Sequence, residues 1–495
     1  MLRTNRWWWL LAAVFGLRLL SMAIVPLADT SEPRYAEIAR IMATTGDWIT
    51  PWFEPGKPFW GKPPLSFWTE ALSFRLFGIS EFAARLPSWL ATLATLPLIF
   101  ALAKAYRGLR AARWAVLVFG TCVLSYVALG AVLTDPFLVL GTTLCMTSFI
   151  LAPTSDGLKW RYGFFVGLAI GLLSKGPLAL VLVAGPIIPW MLLHRNWRDY
   201  TRALPWFGGL LLTAVLVVPW YVLAEIKTPG FLDYFIVGEH IRRYLDPGWA
   251  GDLYGTAHLR PYGSIWWYWI MATFPWGFIA LGIAAHRFFT RGKTAGVRTV
   301  LAEPLTSYIL AWALFALVFF TVARNVLWTY VLPAIPAFSI LLGAHIAGGW
   351  RSRRKIIAAV GATLAIPVVG AVLAVLVMVQ PGHLNTERDL VSFAQRTAKP
   401  GESLLYLDSR PFSARYYSQG EAELVPMTGL RARLAQATTD TYLAIPKDKP
   451  NDLATLLGAP VRPLFESGRY SLIRIPAHQQ VRQLADQEQK TTLIK

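Results

Sequence analysis

The sequence predicts a polytopic α-helical membrane protein with a small α/β domain at its C-terminal end. Its 495 residues are 55% hydrophobic and only 15% charged, whereas soluble domains carry roughly 25% charged residues. The apolar residues fall in runs of about 20, the length that crosses the hydrocarbon core as a helix. Beyond residue 380 the chain becomes polar, with short strand-like runs between turn signals.

The apolar runs predict about 11–13 transmembrane helices, of which about eleven can be placed by length. These lie at 7–27, 81–105, 114–133, 136–152, 161–174, 177–193, 203–224, 264–285, 304–322, 326–348 and 356–379. Basic clusters, such as Arg351, Arg353 and Arg354, separate alternate runs. Because cytoplasmic loops are enriched in Lys and Arg, we expect a cytoplasmic N-terminus and an outer C-terminal domain. The first run is long enough to span, and no small-residue cleavage site follows it, so an uncleaved helix is expected.

The net charge of +19, from 47 Lys and Arg against 28 Asp and Glu, does not indicate a nucleic-acid partner. A phosphate-tracking protein needs one continuous basic face, whereas these charges are divided among loops between apolar runs. The two cysteines, Cys122 and Cys145, lie inside apolar runs. They are expected to be buried small hydrophobes rather than a disulfide or a metal site.

Two domains are predicted. Residues 1–379 form a transmembrane domain whose long outer loops are 28–80 and 225–263. Residues 380–495 form a soluble domain of roughly 100 residues, a typical domain size, with strands expected near 403–407 and 470–475.

Polar groups on the outer side are the best guide to function. The first outer loop contains EPRYAEIAR (32–40), GDW (46–48) and KPP (62–64). Carboxylates just after the first span, followed by a lysine in a Trp- and Pro-rich segment, suit a site that handles a lipid-borne anionic group. The alternative is ordinary interfacial anchoring by Trp and Lys.

At these spacings the first loop resembles that of family-39-type glycosyltransferases. These are GT-C enzymes that use polyprenyl-phosphate sugars, and they include protein O-mannosyltransferases and the lipid A aminoarabinose transferases, which this chain resembles most. TDP (134–136), SKGP (174–177) and TYVLP (329–333) extend the resemblance to about residue 340. It implies a GT-C fold and an inverting transfer of one sugar from a polyprenyl-phosphate donor at the bacterial inner membrane.

In this family an acidic pair in the first loop supplies the catalytic carboxylate. The present chain departs from the pattern, because Ser31 stands where the aminoarabinose transferases have an Asp, and Glu32 aligns with the second acid. Asp29 lies two residues before Ser31 and could reach the same place. The resemblance therefore implies Asp29 with Glu32 as the catalytic carboxylates; the alternative for Asp29 is a helix cap.

Lys62 matches the lysine of the family's Lys-Pro motif and is implied to bind the donor phosphate, with Arg34 as a second cation. Arg242 and Arg243, in a segment resembling a phosphate-binding one, and Tyr330 complete this group. The alternatives are a lipid-headgroup contact for the two arginines and an aromatic-belt position for Tyr330.

Supporting roles are predicted for Asp135, Lys175 and His240, because ionisable residues at or near membrane depth are functional candidates. His240 together with Asp29 or Glu32 could also hold a divalent metal, so metal dependence is left open.

The expected acceptor is lipid A or another lipopolysaccharide component, and a protein acceptor is the alternative within the family. A hydroxyl acceptor requires a carboxylate to take its proton, whereas a phosphate acceptor is already anionic. A transporter is the alternative from a different class. It is disfavoured because the polar residues cluster at one membrane face and no internal repeat is seen.

Overall fold

The chain folds into two compact units, according to a computed structural model that describes residues 4–154, 157–194, 197–246, 248–255, 258–291, 302–350, 352–448 and 462–477. The first unit contains Met1–Ala23 and Met42–Leu373. The second contains Ile24–Ile41 and Ala374–Lys495. It thus includes a segment that the sequence analysis placed in the first outer loop.

Helices dominate the chain before residue 380. The α-helices are α1 (Thr4–Ile24), α2 (Ser31–Thr45), α3 (Leu65–Phe77), α4 (Glu81–Thr121), α5 (Val123–Ala128), α6 (Asp135–Leu151), α7 (Leu158–Lys175), α8 (Leu178–Leu193), α9 (Trp197–Arg202), α10 (Trp206–Lys227), α11 (Arg243–Leu245), α12 (Ser264–Ala272), α13 (Trp276–Arg291), α14 (Pro304–Thr321), α15 (Ile335–Gly349) and α16 (Arg353–Val379). A π-helix spans Asp233–Arg242 and 3₁₀ turns span Ala152–Thr154, Trp328–Ala334 and Pro381–His383. Strands β1 (Trp52–Glu54) and β2 (Lys57–Pro58) form an antiparallel hairpin in the first loop.

The protein is a multi-span membrane protein. Among the described residues, 7 helices are long and apolar enough to cross a membrane, or up to 8 if the bent pair α12 and α13 is one span. This is fewer than the 11–13 helices predicted. The predicted span 81–105 and the first part of the predicted span 114–133 both fall in α4, which has a break at Arg107 and Gly108. Two others correspond to α7, which carries several basic residues, and to α8, which has only 16 residues.

Small residues allow α6 and α7 to approach closely. A Cβ added at Gly141 would lie 2.7 Å from the carbonyl oxygen of Gly167 and 2.7 Å from the backbone nitrogen of Gly171. Such contacts between small residues are typical of helix pairs in membranes, where packing drives association. The close approach fixes the two helices that carry Asp135 and Lys175.

The second unit contains a five-stranded sheet. Its strands are β3 (Ser403–Leu407), β4 (Glu423–Val425), β5 (Thr441–Pro446), β6 (Phe465–Glu466) and β7 (Tyr470–Ile475), in the order β4-β3-β5-β7-β6. The pairs β3–β4 and β3–β5 are parallel, and β5–β7 and β6–β7 are antiparallel. Helices α17 (Arg388–Thr397), α18 (Phe412–Tyr417) and α19 (Met427–Ala435) complete it. The predicted small α/β domain, with strands at 403–407 and 470–475, is confirmed.

Candidate functional site

Within residues 225–263, which were predicted to be the second outer loop, Asp233–Arg242 form a π-helix. Glu225, near the end of α10, accepts hydrogen bonds from the backbone nitrogens of Gly230 (3.0 Å) and Leu232 (2.8 Å), which orders the turn before this helix. π-helical segments are rare and frequently occur at functional sites. This one places Glu239 and His240 toward neighbouring elements, as their contacts show.

Glu239 binds two cations. The Nη1 of Arg243 donates to both carboxylate oxygens at 3.0 Å, and the Nζ of Lys62 lies 3.4 Å from Oε2. Arg243 also lies 3.5 Å from Asp252. The Glu239 side chain is only 7% exposed, whereas those of Lys62 and Arg243 are each 21% exposed. The buried carboxylate therefore holds two cations that remain partly open to solvent.

Neighbouring charges keep Glu239 and Arg243 ionised. Burial alone would raise the pKa of Glu239, but Lys62 and Arg243 hold that pKa below its ordinary value. Burial alone would lower the pKa of Arg243, but Glu239 keeps that pKa above its ordinary value. Glu239 and Arg243 are thus ionised at neutral pH.

Aromatic residues surround the ion cluster. Tyr234 donates a hydrogen bond to Glu239 at 3.3 Å. The Tyr254 hydroxyl donates to the carbonyl of Pro58 (2.7 Å) and accepts from the backbone nitrogen of Trp60 (3.0 Å), which fixes the loop that carries Lys62. Burial raises the pKa of Tyr254 to about 12, so this hydroxyl stays protonated.

His240 joins the π-helix to the end of α7. Its Nδ1 lies 2.7 Å from the carbonyl oxygen of Phe235, and its Nε2 lies 2.9 Å from the carbonyl oxygen of Lys175. Burial lowers the pKa of His240. Because both ring nitrogens face carbonyl oxygens, the ring does not fit the role of a metal ligand. Across the described ranges, no group of three or more His, Cys, Asp and Glu residues could hold a metal ion.

Lys175 and Asp135 form a buried ion pair with an Nζ to Oδ1 distance of 2.8 Å. The Nζ of Lys175 lies 5.5 Å from the centre of the Tyr330 ring, and Tyr330 also interacts electrostatically with Arg243. The structure therefore brings together six of the predicted site residues, namely Lys62, Asp135, Lys175, His240, Arg243 and Tyr330.

The other four predicted site residues are not part of this contact network. Arg242 is exposed, and it is Arg243 that contacts Glu239 and Asp252. The other three belong to the second unit: Glu32 lies in the first turn of α2, and Arg34 stacks over the rings of Tyr35 (5.1 Å) and Phe412 (5.5 Å).

Asp29 is the third of these residues. Its carboxylate is bound by Ser413 and Arg469, a contact that no sequence pattern indicated.

Comparison with known proteins supports the resemblance predicted from the first loop. Residues 27–235 match the family of dolichyl-phosphate-mannose-protein mannosyltransferases. The undecaprenyl phosphate-alpha-4-amino-4-deoxy-L-arabinose arabinosyl transferase of Edwardsiella ictaluri is 32% identical over 355 residues, which cover 68% of this chain and 59% of that protein. The corresponding transferase of Aeromonas hydrophila is 32% identical over 331 residues, 65% of this chain and 56% of that protein.

The solved structure of ArnT from Cupriavidus metallidurans bound to undecaprenyl phosphate is also similar. The match covers 95% of this chain and 98% of the ArnT chain, with a TM-score of 0.76 and 18% identity. Its apo structure gives a TM-score of 0.75. The chain has the same fold as this structure. The chain spans less than two thirds of the length of the curated transferases that it matches, at 56–59% for the two named.

Sequence reasoning missed Glu239 and Asp252. Glu239 stands in the segment that drew attention to Arg242 and Arg243, but it was given no role. The signal was present, because Glu239 and Arg243 are four residues apart, the spacing at which opposite charges pair on a helix. Asp252 lies in an irregular loop, and no local pattern distinguished it.

Proposed function

We propose that this protein is an inverting glycosyltransferase that moves a single sugar from an undecaprenyl-phosphate donor to lipid A or another lipopolysaccharide component. The observation that carries the proposal is the pair of partly exposed cations, Lys62 and Arg243, held on the buried carboxylate of Glu239. The relatives from Edwardsiella ictaluri and Aeromonas hydrophila, which are undecaprenyl phosphate aminoarabinose transferases, support the same chemistry.

The cations suit the leaving group. When the bond between sugar and phosphate breaks, the phosphate gains negative charge, and fixed donors aimed at it lower the barrier. Arg243 offers a planar set of donors and Lys62 a compact ammonium group. Glu239 keeps both in place before the donor arrives, so the charge on the phosphate is met without reorganisation.

Tyr330, Lys175 and His240 act beside this pair. The hydroxyl of Tyr330 is a hydrogen-bond donor for the carrier phosphate. Asp135 orients Lys175, and His240 ties the π-helix to the backbone of Lys175. In this assignment Arg242 is not a phosphate ligand.

The catalytic carboxylate is proposed from the first-loop motif, with Glu32 as the principal candidate. If the acceptor is a hydroxyl group, the carboxylate takes its proton. If the acceptor is a lipid A phosphate, its oxygen is already anionic and the carboxylate positions the donor sugar instead. In both cases an in-line attack inverts the anomeric centre.

We also propose the bacterial inner membrane as the location, with the N-terminus in the cytoplasm and the C-terminal unit in the periplasm. The basic clusters between apolar runs support this orientation through the positive-inside rule. A periplasmic C-terminal unit is consistent with an acceptor that is part of lipopolysaccharide.

The test is mass spectrometry of lipid A and core oligosaccharide from host cells with and without the gene. We expect one additional sugar on lipid A, absent when Lys62 and Arg243 are both replaced by Met. An unchanged lipid A and core, with a new sugar on periplasmic proteins, would instead identify a protein acceptor. No sugar on any of these molecules would contradict the proposal and favour a transporter.

A further inference from the structure

Asp29 is enclosed by the C-terminal part of the second unit. Its Oδ1 accepts a hydrogen bond from the backbone nitrogen of Ser413 (2.8 Å). Its Oδ2 accepts bonds from Ser413 Oγ (2.7 Å) and Arg469 Nη2 (2.6 Å). The side chain is 4% exposed. Both oxygens are thus occupied by protein donors.

Arg469 is shared with a second carboxylate. Its Nη2 and Nε donate to Glu387 Oε1 at 2.9 and 3.1 Å, and the backbone nitrogen of Glu387 donates to Ser413 Oγ at 3.1 Å. Asp29, Glu387, Ser413 and Arg469 are called the Arg469 cluster. Each of the four residues bonds to two others, so the cluster is one connected unit.

Hydrogen bonds made by the backbone of Leu27 and Asp29 add to the Arg469 cluster. The nitrogen of Asp29 donates to the carbonyl of Asn385 (2.8 Å), and Thr386 Oγ1 donates to the carbonyl of Leu27 (2.8 Å). The nitrogen of Leu27 donates to the hydroxyl of Tyr417 (2.7 Å). The chain just before α2 is therefore fixed through its backbone as well as through Asp29.

Residues of α2 that follow Glu32 also lie against the C-terminal part of the second unit. Arg34 stacks over Phe412. Glu37 and Arg40 form an ion pair of 2.7 Å, and a Cβ at Gly420 would lie 3.1 Å from Arg40 Nη2. Gly420 has a φ of +89°, so the turn that meets this ion pair uses a backbone conformation that favours glycine.

We propose that Asp29 is a positioning residue and that the C-terminal domain, through the Arg469 cluster, holds the first-loop motif in the geometry needed for sugar transfer. This inference rests on the proposed function for its activity readout. Glu32, which lies three residues after Asp29, is the carboxylate that the cluster would position.

The chain offers a matched control. Arg474 lies in β7, five residues after Arg469 in the sequence. The Arg474 side chain is 32% exposed and that of Arg469 is 34% exposed. It also binds two carboxylates, Glu402 and Asp440, but neither belongs to the first loop. Replacement of either arginine by Met removes one charge from the same domain.

The experiment measures kcat and KM for the polyprenyl-phosphate sugar with Arg469→Met, Arg469→Lys, Ser413→Ala, Asp29→Asn and Arg474→Met. A charge-assisted hydrogen bond corresponds to a change of about tenfold or more. We expect Arg469→Met and Asp29→Asn each to lower kcat by about tenfold or more while KM for the donor changes little. Ser413→Ala should have a smaller effect of the same kind, Arg469→Lys should recover most of the loss, and Arg474→Met should match the wild type.

A second readout does not depend on activity. Hydrogen exchange at the backbone amides of α2 should be faster by about tenfold or more in Arg469→Met than in Arg474→Met, because the segment loses its anchor. Unchanged exchange in α2 would overturn the proposal. So would loss of activity in Asp29→Asn alone with wild-type kcat in Arg469→Met, since Asp29 would then act in the chemistry itself. If the wild-type protein transfers no sugar, the proposed function fails, and the exchange result still decides the inference.

Discussion

Glu239 shows how a single buried acid can prepare a site for an anionic ligand. It is almost fully buried, yet Lys62 and Arg243 keep its pKa low and hold it ionised. Without it Lys62 and Arg243 would have no shared counterion. Glu239 therefore orients the site. It holds the long, flexible side chains of Lys62 and Arg243 in one place, and both remain partly exposed.

The two neighbouring arginines of this segment provide a direct test. Arg243→Gln should weaken binding of the donor by about ten- to a hundredfold, as expected for a lost charge-assisted hydrogen bond of about 1.5–3 kcal/mol. Arg242→Gln should leave binding within about twofold, because the exposed Arg242 is outside the ion cluster. Binding of undecaprenyl phosphate to the purified protein is the measurement. Equal loss in both variants would show that general basicity of the loop, rather than the cluster, binds the phosphate.

Some of these contacts were within reach of the sequence and others were not. The pair Glu239–Arg243 follows from spacing on one helix, and Lys62 followed from the resemblance of the first loop. The pair Asp29–Arg469 joins residues 440 positions apart, and neither has a local pattern that reveals its partner. Asp29 was predicted to be catalytic from its place next to Ser31 and Glu32; that role stays a prediction, now with a competing structural explanation.

At the scale of elements, the contact between α6 and α7 decides whether Asp135 can meet Lys175. The two helices touch backbone to backbone at Gly141, and no side chain is present there that could adjust. Hydropathy predicted both segments from their apolar length. It could not predict how closely they pack, because that depends on which small residues face each other.

Gly141→Ala should therefore destabilise the protein. Its Cβ would meet backbone atoms at 2.7 Å, so the helices must separate, at a typical overpacking cost of about 1–3 kcal/mol. Gly361→Ala in α16 is the control, since nothing lies within 4 Å of its Cβ position and alanine favours a helix. Thermal unfolding in detergent should give a lower Tm for Gly141→Ala and an unchanged or slightly higher Tm for Gly361→Ala. A wild-type Tm for Gly141→Ala would contradict the packing argument.

The break in α4 is another feature of this scale. Residues 81–105 and 114–133 were predicted as separate spans, and the structure has a long helix with non-helical backbone angles at Arg107 and Gly108, where Gly108 has a φ of +81°. The glycine was visible in the sequence. The neighbouring Arg107 binds Glu303, a residue 196 positions further along the chain, at 2.6 Å, and no local pattern indicated that contact.

At the scale of the whole molecule, the sequence predicted the division into a helical membrane part and a small α/β part from composition alone. The length of the apolar runs and the change to a polar composition after residue 380 were sufficient for that prediction. The inclusion of residues 24–41 in the second unit was not foreseen, because α2 is amphipathic and equally compatible with a place along the membrane surface. The contacts of Asp29 and Arg34 with the C-terminal part of the unit reveal it.

The stability of the second unit should depend on pH through Glu387. Burial raises the pKa of Glu387 to about 7 from a reference value of 4.5. Below pH 4.5 the carboxyl is protonated in both the folded and the unfolded state. Between pH 4.5 and 7 the unfolded state loses this proton first, so the free energy of unfolding falls as the pH rises, and the loss is complete above pH 7. At about 1.4 kcal/mol per pKa unit, the total is on the order of 3 kcal/mol at most.

Glu387→Gln should remove this slope and make the unit more stable than the wild type above pH 7. The measurement is hydrogen exchange in β3 as a function of pH, corrected for the intrinsic rate. Glu402→Gln, which alters the pair with Arg474 but keeps Glu387, should retain the wild-type slope. A slope that persists in Glu387→Gln would assign the pH dependence to another group.

The discontinuous second unit also constrains how such proteins can be recombined. A chimera that exchanges only the C-terminal domain between relatives would place a foreign surface against the native segment 24–41, with the partners of Asp29, Arg34 and Arg40 changed together. Exchange of both pieces would transfer a self-consistent unit. Residues 24–41 and the C-terminal part are thus expected to be inherited as a pair, although more than three hundred residues of the first unit lie between them in the sequence.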